Sequence, residues 1–145
     1  MKHGLNTDKD KNCGKDGKEK EREMGLLHSD ITEAIIGAAF EVYGVLGYGF
    51  LERVYQRARQ VELQSRGFEV ETESDIRVIY KCVDVGYYKA DLWVNRCVIV
   101  ELKVAKAYCS DDEPQLLNEL KATGVQVGLL VNFGRVKVDF KRFAY

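Results

Sequence analysis

No apolar run in this sequence is long enough to cross a membrane, and its start has no apolar stretch followed by a small-residue cleavage site, as a signal peptide has. These absences argue against a membrane-bound or secreted protein. The 145 residues, of which 46% are hydrophobic, are enough for one domain with one core. We therefore expect a cytoplasmic protein with no membrane partner.

Closely paired cysteines are also absent. The four cysteines, Cys13, Cys82, Cys97 and Cys109, form no C-x-x-C pair and follow no regular spacing. This distribution argues against a zinc site or a disulfide framework. We expect reduced thiols with mostly structural roles.

The chain has no excess of positive charge, since its formal net charge is −1. Residues 1–24 contain seven Lys or Arg and six Asp or Glu, a net charge of +1. The rest of the chain contains fifteen Lys or Arg and seventeen Asp or Glu, a net charge of −2. Tight, sequence-independent binding to nucleic acid normally depends on many Lys and Arg contacts to phosphate. Support for DNA or RNA binding must therefore come from a local site.

Residues 1–25 have no repeating apolar face and are rich in Lys, Asp, Glu and Gly. Such a segment cannot bury enough surface to offset the entropy lost on ordering. We expect a disordered polar tail there and a single folded domain over residues 26–145. The sequence does not decide whether Met1 or Met24 is the true start.

Two helices are expected at the beginning of the domain. Ser29 and Asp30 offer N-cap oxygens for the first, and Asp30 with Glu33 forms a capping-box pattern. The second covers residues 51–66, and helical spacing predicts a buried stripe of Leu51, Val54, Tyr55, Ala58 and Val61. The glycines between the helices lack the lysine and Ser or Thr of a P-loop, which argues against nucleotide binding.

From Phe68 the apolar period changes to two, which predicts three strands in an antiparallel meander that ends at Lys103. A helix begins near Pro114, residues 125–131 suit a strand buried on both faces, and an outer strand starts at Val136. The buried strand should run parallel to the strand ending at Lys103, through a right-handed crossover. The expected fold is an α/β sandwich with a mixed central sheet.

The stretch YYKADLWVNRCVIVELK, residues 87–103, is the part around which the chain is organised. Asn95 and Arg96 interrupt its apolar run as a tight turn does, so that two neighbouring strands follow. Because side chains alternate along a strand, Glu101 and Lys103 share one face. If that face is shielded from water, each charge loses hydration free energy on the order of 3 kcal/mol or more.

Two arrangements would offset this loss. In the first, Asp91 and Glu101 are hard oxygen ligands of a divalent metal, and Lys103 holds a phosphate or a water beside them. In the second, Glu101 and Lys103 form an ion pair at a sheet edge, and Asp91 merely ends a turn. Periodicity alone does not choose between them.

The D-x9-E-x-K spacing of these three residues resembles the signature of PD-(D/E)xK nucleases. Residues 49–55, GFLERVY, match the G-x-x-E-x-x-Y motif that names a family of small bacterial and archaeal proteins assigned to that superfamily. Four further segments look like the same family: residues 86–91, 98–103, 115–118 and 128–134. The resemblance covers roughly residues 28–145, in order.

The resemblance implies a restriction-endonuclease-like α-β-β-β-α-β core and a nuclease that uses Mg²⁺ or Mn²⁺ to hydrolyse DNA or RNA. It implies Asp91, Glu101 and the Leu102 carbonyl as metal ligands, with Lys103 beside the scissile phosphate. The alternative is a catalytically silent module that keeps the fold and binds nucleic acid or protein, or a subunit active only beside a partner. A homodimer is also open.

Three further residues have a functional and an ordinary interpretation. The resemblance makes Glu52 a third acid of the metal site, whereas its place in the first turn of a helix also suits the helix dipole. Gln115 would face the cleft and hold water or phosphate, or it is simply an exposed glutamine early in a helix. Tyr55 would hydrogen-bond Glu52 or fill the core.

Overall fold

A computed structural model describes residues 27–145 of the chain. The predicted polar tail over residues 1–25 lies outside the described residues and stays an expectation. The described part contains three α-helices, one 3₁₀ turn and five strands, in the chain order α1 (Ser29–Leu46), α2 (Glu52–Ser65), β1 (Val70–Tyr80), β2 (Val83–Val94), β3 (Val98–Lys103), the turn Ser110–Asp112, α3 (Glu113–Thr123), β4 (Val127–Phe133) and β5 (Val138–Ala144).

The five strands form one sheet in the order β1-β2-β3-β4-β5. Neighbouring strands are antiparallel except β3 and β4, which are parallel from Val98 paired with Val127 to Lys103 paired with Asn132. The mixed sheet, the meander and the parallel crossover through α3 are as predicted. Strand β3, which carries the acid and the lysine of the signature, is therefore the central strand.

The helices cover the two faces of this sheet. Helices α1 and α2 share one cluster of buried residues with the sheet, and α3 packs through Leu116 and Leu120 into a second cluster on the other face. Helix α3 lies very close to β4, because a Cβ added at Gly128 would come within 2.9 Å of the Leu116 Cδ1 atom. Every residue of β4 is buried, as its continuous apolar run predicted.

Helix α1 begins differently from the prediction. Its N-cap is His28, in a left-handed conformation with φ of 56°, and no side chain caps the first turn. The backbone amides of Ile31 and Thr32 instead donate to the His28 carbonyl. The predicted capping box of Asp30 and Glu33 is wrong, because the helix already includes Ser29; Asp30 lies in the first turn, where the helix dipole favours a carboxylate.

The predicted buried stripe of α2 is also wrong for most of its members. Leu51 is 80% exposed and Val61 is 60% exposed. The face that packs on the sheet carries Tyr55, Arg59 and Leu63, which follow one another at intervals of four. Helical spacing identified an apolar stripe, but it could not show that a second stripe of this helix, which includes an arginine, is the one that faces the core.

The outer strand begins later than its alternation indicated. Val136 is 86% exposed and lies in the turn, and β5 starts at Val138. None of the helices within residues 27–145 combines the length and apolar character needed to span a membrane.

Candidate active site

The candidate site lies where strands β2 and β3 separate. Their ladder ends with Leu92 paired to Val100, so beyond this pair the facing edges of β2 and β3 no longer pair with each other. The Leu102 amide donates to Asp91 Oδ2 at 2.8 Å, and the Asp91 amide donates to Glu101 Oε1 at 3.4 Å. The two acids are thus held together by each other's strand at the point where the sheet opens.

Strand β2 also changes face at this point. Ala90 belongs to the buried cluster under α3, whereas Leu92, two residues further on, belongs to the cluster under α1 and α2. Residues two apart in a regular strand share a face. Opposite Asp91, Glu73 of β1 has a φ of 52°, a conformation uncommon outside glycine. This local irregularity frees the Asp91 side chain from both cores, and such irregularities often accompany sites.

Glu101 lies on the α3 side of β3 and is only 1% exposed. Its Oε2 accepts a hydrogen bond of 3.2 Å from Gln115 Nε2, which also donates to Glu119 Oε1 at 3.3 Å. Glu119 is completely buried. The predicted alternative, an ion pair between Glu101 and Lys103 at a sheet edge, is therefore wrong. Strand β3 is the central strand, and within residues 27–145 Glu101 forms no ion pair with Lys103.

Burial dominates the electrostatics of this glutamate pair. It raises the pKa of Glu101 well above the ordinary value, and the contact with Glu119 and the charge of Asp91 raise it further. Burial also raises the pKa of Glu119, against the hydrogen bonds from Glu101 and Gln115. Without a bound cation, the pair therefore keeps a proton at neutral pH.

Glu52 and Asp91 meet on the open side of the site. They line, with Leu102, a cleft of about 430 Å³. Partial burial and the charge of Asp91 raise the pKa of the Glu52 carboxyl, and the charge of Lys103 lowers it. Lys103, half-buried at the end of β3, therefore acts on the same cleft without forming an ion pair within the described residues.

Tyr55 supports the loop before α2, and within residues 27–145 its hydroxyl does not hydrogen-bond Glu52. Its hydroxyl donates to the Gly47 carbonyl and accepts from the Phe50 amide at 3.3 Å. Its ring stacks on Phe133 with centroids 4.5 Å apart. Of the two interpretations left open by the sequence, core packing is the one seen, and the supporting role toward Glu52 is not.

The sequence analysis missed two side chains that complete the arrangement. Gln56 Nε2 donates to the Asp91 carbonyl at 2.9 Å and to Glu73 Oε1 at 3.0 Å, which fixes β2 where it leaves β3. Glu119 is the other. Each lies four residues after a candidate, Glu52 or Gln115, and so on the same helix face; this spacing was the available signal.

The donor atoms suit a hard divalent cation. Within residues 27–145, no three Asp, Glu, His or Cys side chains are grouped closely enough to hold a metal ion by themselves. Mg²⁺, however, is commonly bound by one or two carboxylates and completes its shell with water and phosphate oxygens. The carboxylates of Asp91 and Glu101, the Leu102 carbonyl and the buried Glu119 carboxylate are donors of this kind.

Comparison with known proteins agrees with this geometry. The family model described as the PD-(D/E)XK nuclease superfamily matches residues 29–143. The crystal structure of SSO0001 has the same fold, with a TM-score of 0.52 and 15% sequence identity over 85% of this chain. The match spans 61% of that chain. A search of curated proteins found no match.

Proposed function

Because the chain belongs to the PD-(D/E)XK nuclease superfamily, we propose that it is a nuclease that uses a divalent metal to hydrolyse phosphodiester bonds in DNA or RNA. One observation carries this proposal: at the opening between β2 and β3, the Asp91 carboxylate accepts a hydrogen bond from the Leu102 amide and the Glu101 carboxylate accepts one from the Asp91 amide. A basic residue, Lys103, follows on the same strand.

Asp91, Glu101 and the Leu102 carbonyl would hold Mg²⁺ or Mn²⁺, and Glu52 would hold a second ion or orient a water. When bound, such an ion supplies Lewis-acid polarisation of the phosphate and lowers the pKa of a water to give the nucleophile. The hydrogen bond from the Leu102 amide keeps the Asp91 carboxylate aimed into the opening. The same bond prevents the acid from turning away to solvent.

The remaining polar side chains act on the substrate. Lys103 would offset the charge that develops on the scissile phosphate, as preorganised cations do at phosphoryl centres. Gln115 is held by Glu101 and Glu119 at the inner wall of the site, where its amide would orient a water or a phosphate oxygen. Gln56 keeps the Asp91 backbone in place from the other side.

A nuclease assay tests the proposal. The chain is incubated with single-stranded and double-stranded DNA and RNA in Mg²⁺, Mn²⁺ or EDTA. We expect metal-dependent cleavage that falls at least about 100-fold in Asp91→Asn and in Lys103→Ala, because each removes a group that acts on the transition state. The matched control is Lys106→Ala, an exposed lysine three residues further on. Cleavage that survives both site changes contradicts the mechanism.

A second function, a silent binding module, is favoured by the near-complete burial of Glu101 and its contact with a second carboxyl group. Such a glutamate would satisfy its oxygens inside the protein without any metal. Calorimetric titration separates the two functions. Divalent binding in the millimolar range that is lost in Asp91→Asn supports the nuclease, whereas no binding supports the module.

A further inference from the structure

Helix α2 has a second apolar face that no part of residues 27–145 covers. Leu51, Val54 and Val61 are 80%, 38% and 60% exposed, and Ala58 lies between them on the same side of the helix. Single exposed apolar residues are ordinary, but a continuous apolar stripe along a helix marks a contact surface. These are the residues for which the helical period predicts burial, and within one chain they are not buried.

Helix α1 continues this face. Val45 is 74% exposed, and with Val42 and Leu46 it forms the second wall of a groove of about 690 Å³ between the two helices. We call this surface the α1–α2 groove. It faces away from the sheet, because the opposite side of α2 carries the buried residues Tyr55 and Leu63.

The charges around the α1–α2 groove are of both signs and are separated. Arg53 and Arg57 lie toward the beginning of α2, whereas Glu62 lies near its end and Glu41 lies on α1. A surface with an apolar centre and opposite charges at its two ends is complementary to itself when turned by 180°. Such self-complementarity is what the interface of a twofold dimer requires.

We propose that the α1–α2 groove is the interface of a homodimer in which the two α2 helices pack antiparallel. A twofold axis that crosses the middle of α2 brings Val54 against Val61 of the partner subunit. The same arrangement turns the basic end of the α1–α2 groove, with Arg53 and Arg57, toward the acidic end, with Glu62 of the partner subunit. Glu62 also pairs with Arg66 of its own chain at 2.9 Å.

A second copy fits this groove better than the N-terminal segment of the same chain. Residues 1–26 contain few apolar side chains and alternate in the sign of their charge. They offer no apolar stripe to match the stripe of α2. The α2 helix of a second copy offers a matching apolar stripe, because the two copies present the same residues in antiparallel order.

Light scattering coupled to size exclusion tests the dimer on the full chain. We expect a particle with twice the chain mass, and we expect Val61→Asp to raise the dimer dissociation constant at least about tenfold by burying an unpaired charge. The matched control is Val85→Asp, a valine 58% exposed on the β1–β2 hairpin, which should leave the mass unchanged. Circular dichroism checks that both variants are folded.

Reversal of the rim charges provides the second arm. Arg53→Glu combined with Arg57→Glu should weaken the dimer, because both ends of the α1–α2 groove are then acidic, and adding Glu62→Arg to the same chain should partly restore it. A wild-type monomer at concentrations up to about 1 mM overturns the proposal. So does a dimer that Val61→Asp leaves intact. Neither result bears on the nuclease proposal, because the masses are measured without metal or substrate.

Discussion

The two faces of the sheet bury charges of opposite sign in very different ways. On the α1 and α2 side, Arg59 is completely buried, and none of its three guanidinium nitrogens has a hydrogen-bond partner among residues 27–145. On the α3 side, Glu101 and Glu119 are buried as fully, but Gln115 donates to both. Among residues 27–145, the buried carboxyl groups on the α3 face therefore lie in a hydrogen-bonded network, whereas the buried guanidinium on the α1 and α2 face does not.

The glutamates belong to the candidate site, whereas no polar partner explains the burial of Arg59 among residues 27–145. Arg59 stands over the Phe133 ring, with 5.6 Å between its Cζ and the ring centroid, and the charge of Asp91 attracts it at longer range. Burial nevertheless lowers its pKa to about 10. The glutamates, by contrast, lie beside the opening in the sheet. Burial of their carboxyl groups destabilises the folded chain, and a cation bound at the opening would offset this destabilisation.

The largest expected effect is on the pH dependence of stability. Folding raises the pKa of Glu101 and Glu119 above 4.5, so the folded chain keeps a proton that the unfolded chain releases as pH rises above that value. The free energy of unfolding must then fall with pH, by about 1.4 kcal/mol per unit for one proton. Between pH 5 and pH 7, in EDTA, urea denaturation should show a loss of about 3 kcal/mol from this pair.

Glu119→Gln is the matched control for that experiment. A glutamine amide can donate to Glu101 and so removes the need for a shared proton. We expect the variant to be more stable than wild type at pH 7 and to lose less stability between pH 5 and pH 7. An identical slope in both proteins would show that Glu119 does not contribute to holding the proton.

The next effect concerns the other face. Arg59→Met keeps most of the side-chain volume and removes an unpartnered buried cation, so we expect the free energy of unfolding to rise by about 1–4 kcal/mol. Thermal or urea denaturation at pH 7 measures this change. Arg135→Met, at an exposed arginine, is the control and should change stability by less than about 0.5 kcal/mol. Destabilisation by Arg59→Met would mean that the guanidinium has a partner worth more than its burial costs.

The sequence contains enough to predict the framework of the site. Strand alternation left Asp91, Glu101 and Lys103 with two possible arrangements, and the resemblance of their spacing to the nuclease signature favoured the metal site; the structure brings the two acids together at the end of the β2–β3 ladder. These features depend on local order along two adjacent strands, which a periodicity of two records directly. The mixed sheet follows from the same periodicity with one helix crossover.

Other features depend on contacts between distant elements, and local patterns do not record these. Glu119 is a charged residue among leucines in α3, and only the packing of α3 on β3 shows that it faces Glu101 rather than solvent. Helix α2 has two faces that each follow a helical period, and only the sheet selects the one with Tyr55 and Arg59. Long-range packing overrides a local stripe in such cases.

The smallest expected effect comes from a charge that remains in water. Lys141 Nζ lies 2.8 Å from Glu113 Oε1 and joins β5 to the start of α3, but its side chain is 54% exposed. Lys141→Met should lower the free energy of unfolding by less than about 1 kcal/mol, since solvent weakens such pairs. High salt should reduce the difference further. A loss above about 2 kcal/mol that persists in salt would mean that this pair, like the buried glutamates, is shielded from water. The exposed fraction of a charged side chain would then not indicate how much that charge contributes to the stability of this protein.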